Sequence, residues 1–112
     1  MNSVEATIRL AYMDEDEEVT IQFGQYSNGE TAIKIFSETE GPIATATVNL
    51  ESYGIHPAPG HVLIKEYSEN EGMVDALITA GIITERGQSY SFGFIQDGAF
   101  ECPLAEEYLR QF

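Results

Sequence analysis

Apolar side chains recur at every second position through most of this chain, in runs too short for helices and broken by turn residues. That pattern restricts it to a fold dominated by antiparallel strands. Over residues 4–12, Val4, Ala6, Ile8, Leu10 and Tyr12 share one face and Glu5, Thr7 and Arg9 the other, which describes a half-buried strand. A second strand follows with Val19, Ile21 and Phe23 inward, and Gly24 near its end is read as a bulge or a close approach. Asn28-Gly29 supplies two residues tolerant of positive φ and turns the chain into a third strand over 31–37, with Ile33 and Ile35 opposed to Lys34 and Phe36. Gly41-Pro42 closes the next turn, and the β-branched run 43–50 gives a fourth strand with Ala44, Ala46, Val48 and Leu50 on one face. Residues 51–60 hold two prolines and two glycines and read as a loop before a fifth strand over 61–67. Segments 82–85 and 89–95 flank Arg86-Gly87-Gln88 as a last hairpin, in which Tyr90, Phe92 and Phe94 form a core stripe, and Asp97-Gly98 makes another turn.

One stretch, residues 67–83, departs from this period. Ser68 with Glu71 three positions later matches a capping box, Gly81 supplies a stop, and between them Met73, Ala76, Leu77 and Ala80 fall on one stripe widened by Val74 and Ile78. Such a helix lies on a sheet, and the small-residue face of 43–50 offers it a seat. Pro103 opens a short terminal helix, where Leu104, Tyr108 and Phe112 align and Glu106 can pair with Arg110. The expected fold is therefore α+β: an antiparallel, strongly twisted sheet of five to seven strands packed against one central helix at about 69–80, plus a short C-terminal helix. All 112 residues are expected to form a single domain.

Charge is the outlying property of the composition. Nineteen acidic against five basic residues give a formal net charge of -14, well beyond the roughly 2–8 that suffices for the solubility of a small domain. That balance disfavours nucleic acid and anionic membranes as ligands and favours a basic protein surface, drawn in by steering that weakens with salt. No apolar run approaches the length of a membrane span and no signal-peptide layout opens the chain, so a cytoplasmic location is expected. Cys102 is the single cysteine and reads as a small buried hydrophobe.

Motifs for chemistry are wanting. Asp14, Glu15, Asp16, Glu17 and Glu18 lack the spaced ligands, central glycine and terminal bidentate glutamate of a calcium loop, and read as a solvated hairpin connection or an acidic contact surface. In an extended run no more than three of these acids face one partner. His56 and His61 flank Pro57-Ala58-Pro59-Gly60, with only Cys102 left to complete a transition-metal site, so they are read as loop histidines. No P-loop, dinucleotide-binding glycine pattern or nucleophile elbow is present. A protein without catalysis, metal or cofactor is expected.

Three ordered blocks, Ala46-Thr47-Val48-Asn49-Leu50, then Tyr67-Ser68-Glu69-Asn70-Glu71-Gly72-Met73, then Leu77 with Ala80-Gly81-Ile82, resemble a family of small acidic proteins of bacteria, phages and mobile elements catalogued as a domain of unknown function. The resemblance covers roughly residues 17 to 95 and carries no catalytic residues. It implies an accessory protein of mobile-element type, a context in which small acidic proteins inhibit host defence systems. The expected function is thus an acidic nucleic-acid mimic that inhibits a host nucleic-acid-binding defence protein, of the anti-CRISPR or anti-restriction kind. The alternative is a small structural or housekeeping interaction domain, able to form a homodimer, whose acidity serves solubility alone. Candidate partner-binding residues are Asp14, Glu15, Asp16, Glu17, Glu18, Tyr67, Glu69, Asn70, Glu71 and Asp75, although acids at a helix start also stabilise the helix on their own.

Overall fold

Seven strands form two antiparallel sheets rather than the one expected, with a single α-helix and three short 3₁₀ turns, in a computed structural model that describes residues 3–109. Strands β1 (Ser3–Ile8), β2 (Glu17–Gln25), β3 (Thr31–Ser37) and β4 (Gly41–Thr45) pair in chain order as a meander. Strands β5 (His61–Lys65), β6 (Gln88–Phe92) and β7 (Ile95–Pro103) form the second sheet in the order β5-β7-β6, and helix α1 (Met73–Thr79) crosses between β5 and β6 in the chain.

The period-2 residues of the first sheet do what their spacing requires. Val19, Ile21 and Phe23 of β2 and Ile33 and Ile35 of β3 are buried and join one core with Ile8, Leu10, Val62, Ile64, Cys102 and the helix residues Met73, Val74, Ala76 and Leu77. Strand β5 is buried on both faces. Val62 and Ile64 point into that core, while Leu63 joins Leu50 and Ala99 in a second cluster, roofed by Val48, Ile55, Tyr90 and Phe92. Gly24 sits in a regular register opposite Ala32 with open space beyond its Cα, so it is neither a bulge nor a close approach.

The expected fourth strand over 43–50 is divided between the sheets. Its paired part begins earlier, at Gly41, so Gly41-Pro42 lies in β4 and not in a turn, and it ends at Thr45. At Ala46 the chain changes partner: the Ala46 N–H donates to the Ile33 carbonyl of β3 (2.7 Å), while its own carbonyl accepts from Lys65 N–H of β5 (2.8 Å). Val48 N–H then donates to Leu63 O and Thr47 bridges Ile64. A strand that crosses from one sheet to the other is a known way of turning a corner between packed sheets. The helix packs on β5 and β1, and Ala46 of the expected small-residue face shares one core with Met73, Val74, Ala76 and Leu77.

The helix begins later than its sequence signature. Ser68 adopts φ 57 and opens a 3₁₀ turn at Ser68–Asn70, and Gly72 at φ 93 reverses the chain into α1. Ser68 makes no capping bond; the carboxylate of Glu66 accepts from Gly72 N–H (2.6 Å) and Val74 N–H (2.8 Å) in its place. The turn lets the buried Asn70 amide donate to Thr45 O (2.8 Å) and the Glu71 carbonyl accept from Ala11 N–H (2.9 Å), which latches the helix start to the segment after β1. The buried stripe of Met73, Val74, Ala76 and Leu77 is otherwise as the spacing predicts.

Two further elements differ. The last hairpin turns at Gly93-Phe94, since Phe92 pairs Ile95 across a two-residue loop whose first glycine has φ 57, the conformation that a type II′ turn asks of that position. Phe94 therefore stands at the tip, fully exposed, instead of continuing a core stripe. Asp97-Gly98 lies inside β7 as an irregularity in the pairing, with Asp97 at φ 47 and its N–H bonded to the Ser91 hydroxyl oxygen (2.8 Å). At the other end Pro103 closes β7, and the expected terminal helix is represented by a 3₁₀ turn at Glu106–Tyr108, with Tyr108 stacked on Phe23. Arg110 and Phe112 lie outside the described residues.

Candidate functional site

The acidic run leaves β1 as a loop and enters β2 midway, so its five members have different settings. Asp14, Glu15 and Asp16 are exposed in the loop, whereas Glu17 and Glu18 are strand residues opposite Ile8 and Thr7. Asp16 accepts from Arg9 Nε at 3.0 Å, and Glu17 accepts from the Ser37 hydroxyl at 2.9 Å. Asp14, Glu15 and Glu17 line a groove of about 490 Å³ together with Glu40, Tyr12, Met13 and Ile43. Neither Glu40 nor Tyr12 stood out in the sequence as a site residue. Both are brought there by chain reversal: Glu40 precedes β4, and Tyr12 follows β1 in a turn that leaves its ring 58% exposed.

Two of the helix-start acids border the same region. Glu71 is tied to it by the bond from Ala11 N–H to its carbonyl, and Asp75 shares with Asp16 a second groove of about 380 Å³ that also contains Thr7, Ile8, Arg9, Ala76 and Thr79. Asp75 also accepts from Arg86 Nη2 at 3.1 Å. Glu40 thus joins Asp14, Glu15 and Glu17 in one groove, and Asp75 joins Asp16 in the other.

The other predicted residues belong elsewhere. Tyr67 packs edge-on against Phe92, with ring centroids 5.7 Å apart, and carries the Lys65 ammonium 5.0 Å from its ring centre. Glu69 accepts from Lys65 Nζ at 3.4 Å, and its carboxyl lies below the ordinary value because its own backbone N–H and that lysine favour the anion. Asn70 is 1% exposed and spends its amide on Thr45 O, so its side chain is turned inward.

Across the surface no acidic side chain is buried; all are exposed except the half-buried Glu17, Glu30, Glu66 and Glu101. Three of the four basic residues described are already paired, Arg9 with Asp16, Lys65 with Glu69 and Arg86 with Asp75. The remaining negative charge is therefore uncompensated and faces water.

The residues considered for chemistry have structural partners. His56 Nδ1 meets Glu30 Oε2 at 2.7 Å, and His61 Nδ1 meets Pro59 O at 3.1 Å. Cys102 is buried, which pushes its thiol above the ordinary value. Among the described residues no cluster of three metal-ligating side chains occurs and no helix is long and apolar enough to cross a membrane. Glu101, unmarked in the sequence, accepts from Ala58 N–H (2.8 Å) and the Tyr90 hydroxyl (2.7 Å) and so pins the 51–60 loop over the second cluster. Burial pushes its carboxyl upward, but these two bonds and nearby His61 outweigh that and hold it below the ordinary value.

Compared with protein-family models, with curated proteins and with solved structures, the chain matches none of them.

Proposed function

We propose that this chain is a non-catalytic binding protein whose acidic face engages a basic protein surface, acting as a nucleic-acid mimic that inhibits a host nucleic-acid-binding protein. The observation that carries this reading is the convergence of Asp14, Glu15, Glu17 and Glu40 on one groove, with Asp16 and Asp75 on a second. Exposed carboxylates in that density offer a lysine- or arginine-rich surface the acceptors it otherwise finds in phosphates. The net charge of -14 would steer such a partner at long range. The resemblance to proteins of phages and mobile elements supports a target among host defence proteins, of the CRISPR or restriction kind.

The test is an affinity pull-down from a host lysate with the parent and with a variant in which residues 14–18 are replaced by lysines. Basic nucleic-acid-binding proteins are expected on the parent at low salt and are expected to be released at high salt. Equal capture by the variant would sink the proposal. A second reading, a small interaction domain that pairs with its own copy, draws on the unpaired outer edge of β6. A dimer that persists in gel filtration across salt concentrations would favour it.

A further inference from the structure

Away from the acidic face, the β6–β7 hairpin presents a second surface. Phe94 at its tip is 104% exposed, Tyr53 is 55% exposed, and Tyr53 packs on Phe92 (5.5 Å between centroids), which in turn meets Tyr67 (5.7 Å). The backbone is built to hold these rings. Gly93 comes so close to the Tyr53 hydroxyl that a Cβ there would lie 3.2 Å from it, and Gly98 leaves the room that Tyr67 occupies, since a Cβ there would lie 2.9 Å from the Tyr67 ring. A phenylalanine wholly in water at a hairpin tip does nothing for the core.

We propose that Phe94 and Tyr53, backed by the Phe92–Tyr67 pair, form a docking surface for an arginine side chain of a basic partner segment. Charge selects this occupant. Exposed acids adjoin each ring in the chain, Glu51 beside Tyr53, Glu69 beside Tyr67 and Asp97 beyond Phe94, and with a net charge of -14 they repel nucleic acid, anionic lipid and a second copy of this chain alike. Glu51, Glu69 and Asp97 each accept one bond, from Asn28, Lys65 and Ser89, and keep lone pairs for a guanidinium that stacks on an exposed ring. The protein already makes such contacts within itself, with the Lys65 ammonium over Tyr67 and the Arg86 guanidinium 4.8 Å from the Phe100 ring centre. This inference rests on the reading of a basic partner and names a recognition element distinct from the acidic grooves.

The test titrates the protein with oligoarginine and oligolysine peptides of equal length, following affinity and the aromatic proton resonances. Tighter binding of oligoarginine is expected, with shifts at Phe94 and Tyr53. Phe94→Ala and Tyr53→Ala should each weaken oligoarginine about two- to fivefold, the worth of an exposed cation–π contact, and weaken oligolysine less. Phe94 has no core role, so Phe94→Ala should melt like the parent. If both variants bind oligoarginine as the parent does, or if Phe94 instead drives partition into neutral vesicles or salt-resistant self-association, the aromatic site is overturned. In that case, binding that still fails on lysine replacement of residues 14–18 would leave the acidic-face reading standing.

Discussion

The Glu66 carboxylate accepts the N–H groups of both Gly72 and Val74 at the head of α1, and no other side chain caps that end. Glu66→Ala should therefore cost about 1–2 kcal/mol, the usual worth of a lost cap, whereas exposed Ser68→Ala should stay within about 0.5 kcal/mol. Chemical denaturation with an unchanged slope would check the pair. Asn70→Leu removes the donor to Thr45 O in a buried setting, and a carbonyl stranded there should cost about 1–3 kcal/mol by the same measurement. The sequence made Ser68 and Glu71 conspicuous because a capping box is a fixed local spacing. Glu66 carries no such mark: it reaches the helix only because the intervening 3₁₀ turn folds residues 68–70 aside, and nothing local announces that turn.

Strand spacing was legible wherever a residue's face alone decides its fate. Val19, Ile21, Phe23, Ile33 and Ile35 are buried in alternation because one side of β2 and β3 meets the core. The period cannot say which neighbour a strand bonds, so the change of sheet at Ala46 left no trace in the pattern of 43–50. Nor could it stop the aromatic alternation at Phe92, since Gly93-Phe94 lacks the Asn-Gly signature of the earlier turn. Two glycines separate these cases experimentally. Gly24 has open space around it and no positive φ, so Gly24→Ala should stabilise the protein by about 0.4–1 kcal/mol through the unfolded chain. At Gly87 a Cβ would fall 1.7 Å from the Glu101 backbone carbonyl, which β7 holds in register, and Gly87→Ala should cost about 3 kcal/mol. The loop pinned by Glu101 adds a pH-dependent element. Its folded carboxyl sits below the ordinary 4.5, so its contribution is complete above that pH and is lost as pH falls through the folded value. The stability gap between parent and Glu101→Gln should accordingly shrink in acid, as thermal melts at a series of pH values would show.

For the whole molecule, charge works against folding and, under the proposed function, toward a partner. With nineteen carboxylates on or near the surface and three of the four described cations already paired, self-repulsion is screened only by salt. Added salt should raise the melting temperature by several degrees while weakening capture of a basic partner, opposite trends from one cause. Composition alone announced this, since the total charge needs no fold. Its gathering of Glu40 with the 14–18 loop did not, because those residues meet through two chain reversals.

Ala46 donates to one sheet with its N–H and accepts from the other with its carbonyl, at zero exposure. The two ladders therefore share a residue, and neither can open along that line while the other stays closed. Amide protons of Ala46 and Lys65 should exchange only through global unfolding, with one common opening free energy. Cutting the chain within 51–60 and mixing the halves should then yield structure from both fragments together and from neither alone.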